Sequence, residues 1–189
     1  MRIGFVGVGG TGKTTTLQSV NEVLELPVLA SVARLVWKDF GITEKDMIDN
    51  RDYEFALRVQ RAIFDKRLKA EAEMDDFISD RTLLDTYCYM LMWCHQSMSD
   101  SVAKSLFVVT LENMKKYDEV FYFPLESFRM TDESASLNVR APGAAQGLML
   151  DSLIKGMLLK MFPKFYTVQG MTLFDRVEFI KTEMGREVK

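Results

Sequence analysis

The run Gly7-Val8-Gly9-Gly10-Thr11-Gly12-Lys13-Thr14 fits Gly-x-x-x-x-Gly-Lys-Thr and directly follows an apolar stretch, Ile3 to Val6, that reads as a buried strand. Such a run builds a loop whose backbone N–H groups turn inward around a polyphosphate, because glycine admits bends that a Cβ would forbid. The helix it opens points its positive dipole end at the same phosphates. Gly9, Gly10, Thr11, Gly12, Lys13, Thr14 and Thr15 are therefore the expected nucleotide-binding residues. Lys13 is expected to reach the β- and γ-phosphates, Thr14 to give its hydroxyl to Mg²⁺, and Thr15 or Thr16 to contact the α-phosphate. A Gly-rich turn that merely links strand to helix is the plainer alternative, and the match at every fixed position, in strand context, argues against it.

A second group able to act on phosphate is Phe77-Ile78-Ser79-Asp80-Arg81. A carboxylate at the carboxyl end of a strand beside the loop sits where a γ-phosphate and its metal meet. Asp80 can hold the metal, or accept the proton of an attacking hydroxyl. Arg81 can brace the acceptor or the transferring phosphoryl group. The simpler reading makes Asp80 a helix cap, or gives that role to Thr82 with Asp85 at the capping-box position. Arg34, Arg61, Asp80 and Arg81 are the expected acceptor-side residues. Arg61 with Asp65, and Arg58 with Glu54, are also spaced i,i+4, so a solvated ion-paired helix face explains them equally well. Trp37, Phe40, Tyr53 and Phe55 can stack on a base, although core packing is the commoner fate of aromatics.

The elements that must position these groups alternate along the chain, which predicts an α/β fold: a five-stranded, mainly parallel sheet with helices on both faces. Strands are expected at 2–6, 27–30, 77–79, 119–123 and 165–168. Helices are expected from the phosphate loop to about Leu24, from Asp52 to about Met74, over 82–96, 99–116, 148–161 and 172–183, with Ser31 capping a further one. The stretch 125–147 has no clear period and is long for a connection, which suggests a lid carrying Arg129 and Arg140. With 189 residues, 48% hydrophobic, the chain has room for one core and reads as a single domain, 1–189.

A net charge of −3 provides no global field for nucleic acid, so that partner is disfavoured though not excluded. No apolar run reaches the ~18 residues of a spanning helix, which points to a cytoplasmic protein with no membrane partner. Cys88, Cys94 and the lone histidine, His95, lack metal or disulfide-framework spacing. The guanine-reading Asn-Lys-x-Asp of switch GTPases is absent, and the strand carrying Asp80 continues into arginine rather than the Asp-Glu of oligomeric ATPase motors.

Taken in order, the phosphate loop, Ala33-Arg34, Gln60-Arg61-Ala62-Ile63-Phe64, Asp80-Arg81 with Asp85 and Tyr89, Val120-Phe121-Tyr122-Phe123-Pro124 and Arg140 give the chain a family likeness. It resembles the small phosphate-loop (P-loop) kinases and ATPases grouped with nicotinamide riboside kinase and, more distantly, the thymidylate and deoxynucleoside kinases. It is also similar to bacteriophage proteins of nucleotide metabolism or DNA-base modification. Two departures stand out: a glutamate common three residues before Arg34 is Ser31 here, and the acidic-Gly-x-Arg lid pattern is Ser136-Leu137-Asn138-Val139-Arg140. The resemblance implies a P-loop NTPase fold and an ATP- and Mg²⁺-dependent phosphotransferase acting on a nucleoside, nucleotide or related ribosyl compound. Lys13, Asp80, Arg81 and Arg140 would be its catalytic residues. A kinase of a modified base in DNA and a regulatory ATPase with a protein partner are the alternatives. The acceptor and the oligomeric state are left open.

A lid arginine that meets the γ-phosphate only on closure contributes to rate rather than to ground-state binding. Arg140→Ala is expected to lower kcat by about 10³ to 10⁵ with a smaller change in ATP affinity; steady-state kinetics with an unchanged kcat would place Arg140 on a solvated loop.

Overall fold

The structure, a computed structural model, describes residues 1–43, 46, 52–125, 144–162, 164–170 and 172–185. Arg129 and Arg140 lie outside the described residues, as does most of the expected lid. The elements run β1 (Arg2–Val6), α1 (Lys13–Leu24), β2 (Val28–Leu29), α2 (Ala33–Asp39), α3 (Tyr53–Ala72), β3 (Phe77–Asp80), α4 (Leu83–Cys94), α5 (Asp100–Met114), β4 (Glu119–Tyr122), α6 (Ala144–Met161), β5 (Tyr166–Thr167) and α7 (Leu173–Glu183).

The strands form one five-stranded sheet in the order β2-β3-β1-β4-β5, and every pairing is parallel. In β1, Ile3 and Phe5 face one side and Gly4 and Val6 the other, as the two-residue period of a strand requires. Ile3 and Phe5 join Leu17, Val20, Phe121 and Ile180 in a core beneath α1 and α7. Val6, Phe77, Val120 and Tyr122 join Phe64, Leu84, Cys88, Leu106 and Ile154 in the larger core beneath α3 to α6. Helix α4 is apolar nearly all round because it packs against α3, α5 and α6 at once. Cys88 and Cys94 are buried there as free thiols, as expected of core residues.

Helix ends follow their side chains. Asp52 accepts from Phe55 N–H at the start of α3, Ser99 from Val102 N–H at the start of α5, and Thr172 with Asp175 forms a capping box on α7. Ser31 does not cap α2; Val32 occupies that position and contributes no side-chain bond. Among the described residues no helix is long and apolar enough to cross a membrane.

The register places Phe5 beside Asp80 and Val6 beside Tyr122, so β1 and β3 deliver their carboxyl ends to the same edge. From that edge β1 connects outward to β2 while β3 connects across β1 to β4. The crevice between them is the kind of switch point at which α/β sheets bind ligands. The chain leaves β1 through Gly7, whose φ is +145°. A Cβ there would lie 2.5 Å from the Phe123 carbonyl oxygen, so the loop starts in a conformation and a space open only to glycine. Gly7→Ala is expected to destabilise the fold by about 1–3 kcal/mol in denaturant unfolding; wild-type stability would show that the loop can start elsewhere.

Candidate active site

Gly12, in the left-handed region at φ +77°, starts α1; no side chain caps the helix and no acidic residue occupies its first turn. That end of α1 therefore presents its dipole and N–H groups to the crevice without competition from a carboxylate of its own. Lys13 is folded back into the loop, its Nζ donating to the Val8 carbonyl at 2.5 Å and to Thr11 Oγ1 at 2.9 Å. Burial, and next the Arg81 charge, push its pKa down to about 7, with Asp85, Asp80 and Asp151 opposing the shift. Thr14 Oγ1 donates to Asp80 Oδ2 at 2.6 Å, which joins the first turn of α1 to the end of β3.

Asp85 is fully buried and serves two masters. Its Oδ2 accepts from Thr82 N–H at 2.7 Å and from Thr82 Oγ1 at 3.0 Å, completing the capping box of α4. Its Oδ1 accepts from Gly7 N–H at 2.9 Å, fixing the first residue of the phosphate loop. Tyr89, one turn further along α4, accepts from Gly9 N–H at 3.3 Å. Its ring lies 5.0 Å from the Arg81 guanidinium, and Arg81 Nη1 reaches the Gly7 carbonyl at 3.4 Å. Burial opposes the Arg81 charge, but Tyr89, Asp85 and Asp80 outweigh it and hold the guanidinium pKa above its ordinary value. Arg81 is charged at any working pH.

These groups border one cavity of about 610 Å³. Gly9 to Thr15 line one side; Ala30 to Arg34, Trp37, Gln60, Ile63 and Arg67 line the other; Asp80, Arg81, Asp85 and Tyr89 lie between. The expected nucleotide-binding residues and Arg34, Asp80 and Arg81 are thus brought together. Arg61 is not: it points out of α3, where its Nε meets both Asp65 oxygens at 3.1 Å, the ion-paired face that its spacing allowed. Of the four aromatics, Trp37 alone lines the cavity, and its Nε1 is buried without an acceptor. Phe40 and Phe55 instead pack edge to face.

Gln60 was visible in the sequence as part of a family pattern and Arg67 was passed over. Both belong to the buried stripe of α3 with Ala56, Val59, Ile63 and Glu71, at steps of three and four residues. Polar residues inside an apolar helical stripe are the signal that identifies them. Among the described residues no three His, Cys, Asp or Glu side chains gather as a metal site. A divalent ion would have to share the Thr14 hydroxyl and the Asp80 carboxylate with phosphate oxygens and water, a set of hard oxygens that suits Mg²⁺.

A family model described as an AAA domain matches residues 2–171. No curated protein matches the chain in sequence. Among solved structures, the deoxyadenosine kinase from M. mycoides with bound dATP superposes with a TM-score of 0.64 at 15% identity, over 98% of this chain and 100% of that one. The NadR protein in complex with NR gives a TM-score of 0.71 at 11% identity, over all of this chain and 52% of that one. Shikimate kinase from Aquifex aeolicus gives 0.55 at 16% identity, over 98% of this chain and 96% of that one. At such identities the likeness is one of fold, and it is the P-loop NTPase fold expected from the sequence. It does not bear on a bacteriophage source.

The burial of Lys13 makes nucleotide binding proton-linked. Phosphates favour the charged amine, so its pKa rises from about 7 when they bind, and affinity is full below pH 7 and falls as pH rises above it. Calorimetry at pH 8 in buffers of different ionisation enthalpy is expected to show uptake of close to one proton per ATP, absent in Lys13→Met. No uptake in the wild type would mean that Lys13 is already charged in the empty loop.

Proposed function

The chain belongs to the AAA domain family, and from that premise we propose that it is an ATP- and Mg²⁺-dependent kinase whose acceptor is the hydroxyl of a nucleoside or related ribosyl compound. The observation that carries this reading is the 2.6 Å contact of Thr14 with Asp80 at the centre of a cavity lined by the phosphate loop on one side and by Arg34, Trp37 and Gln60 on the other. Donor and acceptor have one room to meet in. The chain would work as a single domain, and Arg140, expected among its catalytic residues, lies outside the described residues.

In this mechanism the loop N–H groups and the α1 N-terminus hold the triphosphate, and Lys13 leaves the Val8 carbonyl for the β- and γ-oxygens. Mg²⁺, when bound, neutralises charge on those phosphates. Thr14 and the Asp80 carboxylate would hold it, and Asp80 stands where it would also receive the proton of the acceptor hydroxyl. Arg81, steered by Tyr89 and Asp85, bears on the transferring group.

Charge supports a neutral acceptor. Arg67 is engaged by backbone carbonyls and Glu71, Arg81 by the loop and Tyr89, and Arg61 by Asp65 away from the cavity. Arg34, exposed at the cavity wall, is the one remaining cation among the described lining residues suited to an acceptor phosphate. The Trp37 ring and the Gln60 amide, both lining the cavity, suit the face and the edge of a base. The solved structures likened to this chain include a deoxyadenosine kinase with dATP bound and the NadR protein with NR bound, which supports the same class.

The test is transfer from γ-labelled ATP to nucleosides, nucleoside monophosphates, nicotinamide riboside, shikimate and modified DNA. Transfer to a nucleoside hydroxyl is expected; hydrolysis with no acceptor would favour a regulatory ATPase, and transfer to DNA alone the base-modifying alternative. With the acceptor in hand, Asp80→Asn is expected to lower kcat by about 10² to 10⁴ through loss of the base. An effect confined to Mg²⁺·ATP binding would reduce Asp80 to a metal ligand.

A further inference from the structure

The geometry points to Arg67 as the residue that positions Asp80 and Arg81, an inference that rests on the nucleotide- and metal-binding part of the function proposed above. Arg67 is almost fully buried, at 1% exposure, in the stripe of α3 that faces the sheet edge. Its Nη1 donates to the Ala30 carbonyl at 3.1 Å, just past β2. Its Nη2 donates to the Asp80 carbonyl at 2.8 Å and also to the Arg81 carbonyl. Its Nε lies 3.2 Å from Glu71 Oε1, and Glu71 is as deeply buried. One planar guanidinium therefore ties the ends of β2 and β3 together, while its Nε is anchored on its own helix.

The tied segment has reason to need this. Arg81 adopts φ +78°, a left-handed conformation that a residue with a Cβ avoids. Its N–H donates to the Phe5 carbonyl at 3.0 Å, and its carbonyl receives Ser79 Oγ as well as Arg67. This turn sends the Asp80 carboxylate toward Thr14 and the Arg81 side chain back over Tyr89 toward Gly7. Without the guanidinium the Asp80 carbonyl loses its Arg67 donor in a buried place, the Arg81 carbonyl keeps only Ser79 Oγ, and the turn relaxes toward ordinary φ. Asp80 then leaves Thr14. Arg67 touches no reacting atom in this account; it acts through the backbone of Asp80 and Arg81.

Removing Arg67 alone strands the Glu71 charge, so the variant of choice is Arg67→Met with Glu71→Leu, which replaces the buried pair by apolar groups of similar size. Glu71→Gln is the control: it removes the ion pair and keeps the carbonyl bonds. The readout is the ratio of ATP dissociation constants without and with Mg²⁺, measured by calorimetry on the full chain, alongside thermal unfolding. The wild type and Glu71→Gln are expected to bind ATP more tightly with Mg²⁺. The double variant, folded, is expected to lose about 10- to 100-fold of that gain while its metal-free ATP affinity stays within about twofold. Adding Asp80→Asn to it is expected to change the ratio no further, because both changes act on one carboxylate.

A folded double variant that keeps the Mg²⁺ gain overturns the proposal, as does a loss that adds to that of Asp80→Asn, or a wild type with no Mg²⁺ gain. The assay needs no acceptor. A wild type that shows the Mg²⁺ gain but transfers phosphate to no acceptor contradicts the kinase reading and leaves the Arg67 inference standing.

Discussion

The site depends on one buried carboxylate that bonds in two directions. Asp85 caps α4 through Thr82 and, with its other oxygen, holds the Gly7 N–H from which the phosphate loop begins. Losing a donor from a carboxylate with no exposure is costly, so both bonds are held together. The consequence is rigid coupling of the β1 and β3 exits. The loop takes its position from the first turn of α4, and α4 is itself fixed by packing against three other helices. Tyr89 repeats the connection one turn later, with its hydroxyl on Gly9 and its ring under Arg81.

Lys13 and Arg81 face Asp80 and Asp85 within one cavity, and Lys13 lies against the Val8 carbonyl with a pKa lowered by burial and by the Arg81 charge. A triphosphate adds negative charge on the loop side, which draws Lys13 outward and leaves Asp80 in need of a cation; Thr14 stands beside it with a hard oxygen. Binding of nucleotide and metal are in this view one electrostatic event. The wall opposite the loop, formed by Trp37, Ile63 and Gln60 with Arg34 and Arg67, is where the proposed acceptor would lie.

Much of this was legible in the residues. The phosphate loop has a spacing that few other structures use, so its place between β1 and the helix it opens followed directly. The position of Asp80 at a strand end was equally readable. The reading could not separate Asp85 as cap from Asp85 as loop anchor, because the second role depends on a contact across 78 positions of sequence. Arg61 and Arg67 show the same limit from opposite sides. Both are arginines of α3, and helical phase alone decides that the first turns out to Asp65 and the second turns in to the strand ends. Ser31 had the chemistry of a cap but not the position, since the helix begins one residue further on.

The central claim is that donor and acceptor occupy one cavity on either side of Asp80. The most direct measurement is the binding of a bisubstrate analogue, a nucleoside joined through an oligophosphate to adenosine, followed by calorimetry in competition with ATP and with the free nucleoside. The account predicts one analogue bound per chain, more tightly than either half and displaced by both. An analogue displaced by ATP alone, with the affinity of ATP, would contradict it.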